Sequence, residues 1–137
     1  MTAGPYIPGQ TERPPEGAFD HLKGVAEPLA ECPAWRAGKR FFREGYFWEA
    51  HEVWEVVWMA APENSAEKVM VQGVIQLANA RLKRRMGRDA AAAKLEGIAW
   101  GLMAEAWRRA DGPVMGLVRP IWDGLMHYNA ETIFGVE

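Results

Sequence analysis

His51 and Glu55 stand four residues apart in the segment FFREGYFWEAHEVWEVVW, residues 41–58. On a helix, residues four apart are neighbours on one face, so an imidazole and a carboxylate at this spacing can touch. Such a pair has two chemical uses. Glu55 can orient and charge-stabilise the imidazole while His51 moves a proton, or both can ligate one divalent cation. A zinc-protease helix requires a second histidine where this chain has Glu55, and a third ligand besides. Here the third would have to come from Glu52, His21, His127 or another helix. The di-iron bundle pattern, a glutamate and a histidine three apart on each of two helices, has no second copy. The expectation is therefore no bound metal and no cofactor; a divalent metal, if held, would use His51 and Glu55. Nucleophilic catalysis has less to work with. Ser65 and Cys32 are the sole hydroxymethyl and thiol side chains, and neither has a histidine nearby in sequence. No glycine-rich phosphate loop is present.

The elements that must position this pair are helical. Pro33 suits a first helical turn, and a helix runs to about Glu44, with Gly45 as its stop. A second helix spans about Tyr46 to Ala60 and is barred from continuing by Pro62. Asn64 and Glu67 have capping-box spacing and open a third helix to about Met86, ended by Gly87. Asp89 caps a fourth, alanine-rich helix that reaches about Ala110. Residues 114–134 read as one or two shorter helices broken near Pro120. No stretch alternates with period two long enough for a strand. Short connections favour antiparallel neighbours, so the fold class is all-α, a compact antiparallel bundle of about four to six helices.

On a wheel of about 100° per residue, Phe47, His51, Trp54 and Trp58 share a stripe that Glu55 borders, while Glu49 points to the opposite side. The stripe places His51 and Glu55 toward the aromatic core. The third helix is apolar almost all round, except for one stripe of Gln72, Gln76, Asn79 and Lys83. Buried amides need polar partners. The second and third helices are thus expected to meet through a cluster of His51, Glu55, Gln72 and Gln76, walled by Trp54 and Trp58, with Gly73 allowing close backbone approach. The plain reading of this cluster is a structural hydrogen-bond network that sets packing register. The same five residues, His51, Glu55, Trp58, Gln72 and Gln76, are the candidate site if a function resides there.

The chain has 137 residues, with 16 basic and 18 acidic side chains. That balance offers no general attraction to nucleic acid or anionic membrane. The basic run from Arg81 to Arg88 sits at a helix C-terminus, where cations complement the dipole. The first residues lack a signal-peptide pattern, no apolar run approaches bilayer length, and a lone Cys32 fits a reducing, cytoplasmic setting. Residues 1–31 contain Pro5, Pro8, Pro14, Pro15 and Pro28 and read as an extended arm with a short turn around Phe19 to Val25. Tyr6, Ile7, Phe19, Leu22 and Val25 make that arm too apolar to be wholly solvated. Residues 32–137 form the helical-bundle domain. Seven tryptophans suit the core of such a bundle.

FFREGYFWEAHEVWEVVW, followed by QGVIQLANA, resembles an uncharacterised bacterial and archaeal family, domain of unknown function 309. The resemblance rests on His51, Glu55 and Trp58 in the first block and on Gln72, Gly73, Ile75, Gln76 and Ala78 in the second. It covers about Phe41 to Ala110. It implies a small helical bundle and a metal-binding role suggested for the motif, and no reaction. The leading expectation is a small helical binding or interaction domain for a small ligand or a protein partner, its oligomeric state open. The alternative is an enzyme using His51 and Glu55 as acid–base pair or metal ligands.

Overall fold

The computed structural model describes residues 4–120 and 133–134. Four α-helices follow one another: α1 (Pro33–Arg43), α2 (Phe47–Ala60), α3 (Ala66–Arg85) and α4 (Asp89–Ala110). Two 3-10 turns, Asp20–Leu22 and Leu29–Glu31, precede them. The described residues contain no strand, just an isolated bridge between Val114 and Leu117. The all-α expectation therefore holds. Residues 114–117 form a tight turn, with Met115 and Gly116 at φ 53° and 75°, and 118–120 have no regular structure, so 114–120 do not form the helix read for them. The remainder of that segment, 121–132, lies outside the described residues, as do Trp122 and His127.

Helix ends follow local chemistry. Pro33 begins α1, where its missing N–H costs nothing. Gly45 takes φ 86°, the left-handed turn that lets the chain reverse into α2. The cap of α3 is Ser65 and not Asn64: the Ser65 hydroxyl accepts the Lys68 N–H at 3.0 Å, and Asn64 sits at positive φ in the preceding turn. Asp89 is the first residue of α4 and makes no side-chain cap hydrogen bond; Arg88 holds the cap position. Its carboxylate still lies at the positive end of the helix dipole.

Side-chain contacts give the helix directions. Phe42 meets Phe47 while Trp35 meets Trp54, so α1 and α2 run antiparallel. Lys68 at the start of α3 lies over Trp58 near the end of α2, and Arg85 at the end of α3 lies over Phe47 at the start of α2. Arg84 pairs with Glu96, and Arg109 reaches the Asn64 carbonyl, which orients α4 against α3. The core runs through all four helices and holds Trp35, Trp54, Phe42, Met70, Leu77 and Met103 essentially without exposure.

Three buried indoles are satisfied by backbone carbonyls. Trp54 donates to Trp35, Trp35 to Met115 and Trp107 to Leu117, at 3.2, 3.1 and 2.9 Å. The last two bonds anchor the turn after α4 to the core. Gly38 and Gly73 permit close approaches. A methyl group at Gly38 would stand 2.0 Å from Nε1 of Trp54. One at Gly73 would meet Met103 and the Ala99 carbonyl, so Gly73 serves the α3–α4 contact and not the α2–α3 contact expected of it.

The proline-rich segment lies against α2. Tyr6 stands edge-on to Trp48, Phe19 edge-on to Phe41, and Gln10 donates to the Arg85 carbonyl. No helix among the described residues is long and apolar enough to cross a membrane.

Candidate functional site

The buried face of α2 is centred on Ala50, Val53, Trp54 and Val57, each with no exposed surface. That centre lies about 80° around the helix from the stripe traced through Phe47, His51, Trp54 and Trp58. The shift leaves His51 at the edge of the core and carries Glu55 out to solvent.

His51 Nε2 and Glu55 Oε2 lie 3.1 Å apart, so the sequence-inferred pair forms. Its setting differs from the expected one. The His51 side chain is 21% exposed and that of Glu55 55% exposed. Gln72 is exposed and Gln76 half-buried, and among the described residues neither hydrogen-bonds to the pair. The sealed His51–Glu55–Gln72–Gln76 network is therefore not formed. Trp54 packs on Trp35 and Phe42, away from the pair. Trp58 is engaged by Lys68, whose ammonium sits 4.0 Å from the ring centroid and donates to the Trp58 carbonyl at 2.8 Å.

Glu52 joins His51 and Glu55. One ligand atom from each of the three lies within 4.8 Å of the others. Positions 51, 52 and 55 can converge because they occupy adjacent sides of one helical turn. His21, on the exposed Asp20–Leu22 turn, is not part of this group. Lys23 from the same segment ion-pairs with Glu52 at 3.7 Å. His51 Nδ1 is buried and has no hydrogen-bond partner among the described residues. A ring orienter of the kind that usually backs a metal-bound histidine is thus missing there.

Sequence reasoning missed Glu49. It was set on the side of α2 away from the core, yet it is only 2% exposed, the one charged residue so buried among those described. The covering comes from the N-terminal segment. Oε2 accepts the Tyr6 backbone N–H at 2.9 Å, while Oε1 is buried with no partner. Burial pushes the Glu49 carboxyl above its ordinary value, opposed by hydrogen bonds from the backbone N–H groups of Tyr6 and of Glu49 itself. The available signal was the unusual apolarity of Tyr6 and Phe19 in an otherwise loop-like segment, which implied that they cover something.

Residues 35–95 match the family described as Domain of unknown function (DUF309). The matched stretch spans α1, α2, α3 and the start of α4, and includes His51, Glu52, Glu55, Trp58, Gln72 and Gln76. It begins and ends earlier than the resemblance traced from the two sequence blocks. No curated protein and no solved structure matches the chain.

Proposed function

We propose that this chain is a small helical binding domain that takes an exchangeable divalent cation on the His51, Glu52 and Glu55 face of α2. The observation that carries the reading is the convergence of an imidazole nitrogen and two carboxylate oxygens within 4.8 Å on a solvent-facing helical turn. The donor set suits borderline-to-hard ions such as Zn2+ or Mn2+, and three ligands from one helix leave the rest of the coordination sphere to water or a bound molecule. Two features argue for exchange over permanent residence: Lys23 competes for Glu52, and the unpartnered Nδ1 deprives His51 of the bond that would hold its ring for the metal. The single cysteine, Cys32, is buried and free, which supports a reducing compartment such as the cytoplasm.

Calorimetric titration of the purified chain with Zn2+ or Mn2+ tests this. Saturable binding is expected, weakened roughly tenfold or more in His51→Ala and in Glu55→Gln. Absence of saturable heat, or unchanged affinity in His51→Ala, overturns it. A second reading rests on the 3.1 Å contact itself: without metal, Glu55 orients the His51 imidazole, and His51 exchanges protons with a bound substrate. The exposure of Glu55 supports access from solvent in either case.

A further inference from the structure

The N-terminal segment, the end of α1 and the start of α2 border an open cleft of about 630 Å³, lined by Pro14, Pro15, Phe19, Phe41 and Tyr46, with the buried Glu49 in its wall and the exposed Glu12 at its edge. That volume is typical of small-molecule sites, as is a mainly apolar lining with a few placed polar groups. The polar group here is unusual. A carboxylate removed from water is costly unless both oxygens are hydrogen-bonded or a counter-charge is near. Glu49 satisfies Oε2 through the Tyr6 N–H and leaves Oε1 buried with nothing bound. No ion pair joins Glu49 to any described residue. Arg13 also borders the cleft, but its guanidinium lies over the Trp48 ring, 5.5 Å from the centroid.

We propose that this cleft is a second binding site, for a small molecule bearing an ammonium group on an apolar body. The ammonium donates to Glu49 Oε1 and neutralises the carboxylate. The apolar body packs against Phe19, Phe41 and the two prolines. An ammonium also gains from the aromatic faces that line the approach. A carboxylate-bearing ligand is excluded by repulsion from Glu49, and a neutral alcohol supplies the hydrogen bond but not the charge. Glu49 lies about 160° around α2 from His51 but about 60° from Glu52, so the two proposed sites occupy neighbouring flanks of one helix. Entry requires a small shift of the covering segment around Pro14 and Phe19. That segment has no regular structure over residues 12–15 and forms a turn over 16–19, so its movement unwinds no α-helix.

Phenethylamine and its near-isostere phenethyl alcohol test the proposal. Each is titrated into isotopically labelled protein while the backbone amide signals are followed. The Tyr6 amide, bonded to the same carboxylate, and the Phe19 amide are the reporters. The amine is expected to give saturable shifts at both, with the alcohol roughly tenfold weaker or more. Glu49→Gln is expected to remove that preference while the remaining spectrum is retained. Equal binding of amine and alcohol, no saturable shift at Tyr6 and Phe19, or undiminished amine affinity in Glu49→Gln each overturns it. Should Glu49→Gln fail to fold, the comparison of the two compounds on the parent protein decides the matter alone.

Discussion

The Tyr6 backbone N–H donates to the Glu49 carboxylate at 2.9 Å across 43 residues of sequence. This bond ties the N-terminal segment to the second helix, and the ring of Tyr6 stands edge-on to Trp48 on the same helix at 5.1 Å. It also leaves one carboxylate oxygen without a partner, which gives Glu49 an energetic role opposite to that of an ordinary surface carboxylate.

The pH dependence of stability should carry that signature. Burial raises the Glu49 carboxyl above 4.5, its ordinary value, in the folded chain. The folded state then holds the proton more tightly than the unfolded state does. The Glu49 contribution is therefore most favourable below the unfolded value and is lost as pH rises through the folded one. Glu49→Gln keeps an acceptor for Tyr6 and has no charge to desolvate. It should be at least as stable as the parent at neutral pH, and its advantage should shrink as pH falls toward 4.5. Thermal melts of both proteins across this range check the difference; an advantage that grows on acidification would contradict the assigned burial.

Phe19 should contribute measurably although it lies in a non-helical segment. Its ring packs against Phe41 at 5.6 Å and Trp48 at 6.3 Å and is half-buried. Phe19→Ala is expected to cost about 1–2 kcal/mol, less than a fully buried phenylalanine because part of the ring is already in water. Urea denaturation with an unchanged m-value provides the measurement, and a loss below about 0.3 kcal/mol would mean the segment does not dock in solution.

Glu55→Ala should change stability by no more than about 0.5 kcal/mol, as for other exposed substitutions. A sealed hydrogen-bond network would have made this a loss of about 1–3 kcal/mol. With the Glu55 side chain 55% exposed and its histidine contact near the surface, the pair is worth little to folding. The same urea experiment separates these values.

Gly38→Ala should be among the most damaging single changes. The added methyl would lie 2.0 Å from the Trp54 indole nitrogen, which is itself bonded to the Trp35 carbonyl. Neither a rigid ring nor the helix backbone can yield easily, so a loss of about 3 kcal/mol or more is expected, at the upper end for overpacking. Gly73→Ala should cost less, since its nearest neighbour is the flexible Met103 side chain at 2.7 Å. Paired denaturation curves rank the two.

Elemental analysis of tag-free protein should find well under one equivalent of zinc, manganese or iron per chain. The exchangeable cation proposed for His51, Glu52 and Glu55 would be lost during purification, because Lys23 competes for one ligand and the histidine lacks an orienting partner. A full equivalent that disappears in His51→Ala would instead assign a tightly held ion.

Helix positions and order were legible in the amino-acid sequence because proline, glycine and apolar periodicity act locally. Pro33, Gly45, Pro62 and Gly87 punctuate the chain wherever the rest of it lies, and the His51–Glu55 contact follows from helical spacing alone. The caps of α3 and α4 were misplaced by a residue or so, since Asn64, Ser65, Arg88 and Asp89 differ in backbone angle more than in residue type. Which side of α2 faces inward was decided by tertiary packing. Tryptophans tolerate the edge of a core, as half-buried Trp48 and Trp58 do, so their stripe marks it only loosely, whereas Ala50, Val53 and Val57 are fully buried. Glu49 became buried, and Glu55 did not, because the proline-rich segment folds back on one flank of α2 and leaves the other open. That choice depends on a contact across 43 residues, which no local pattern encodes.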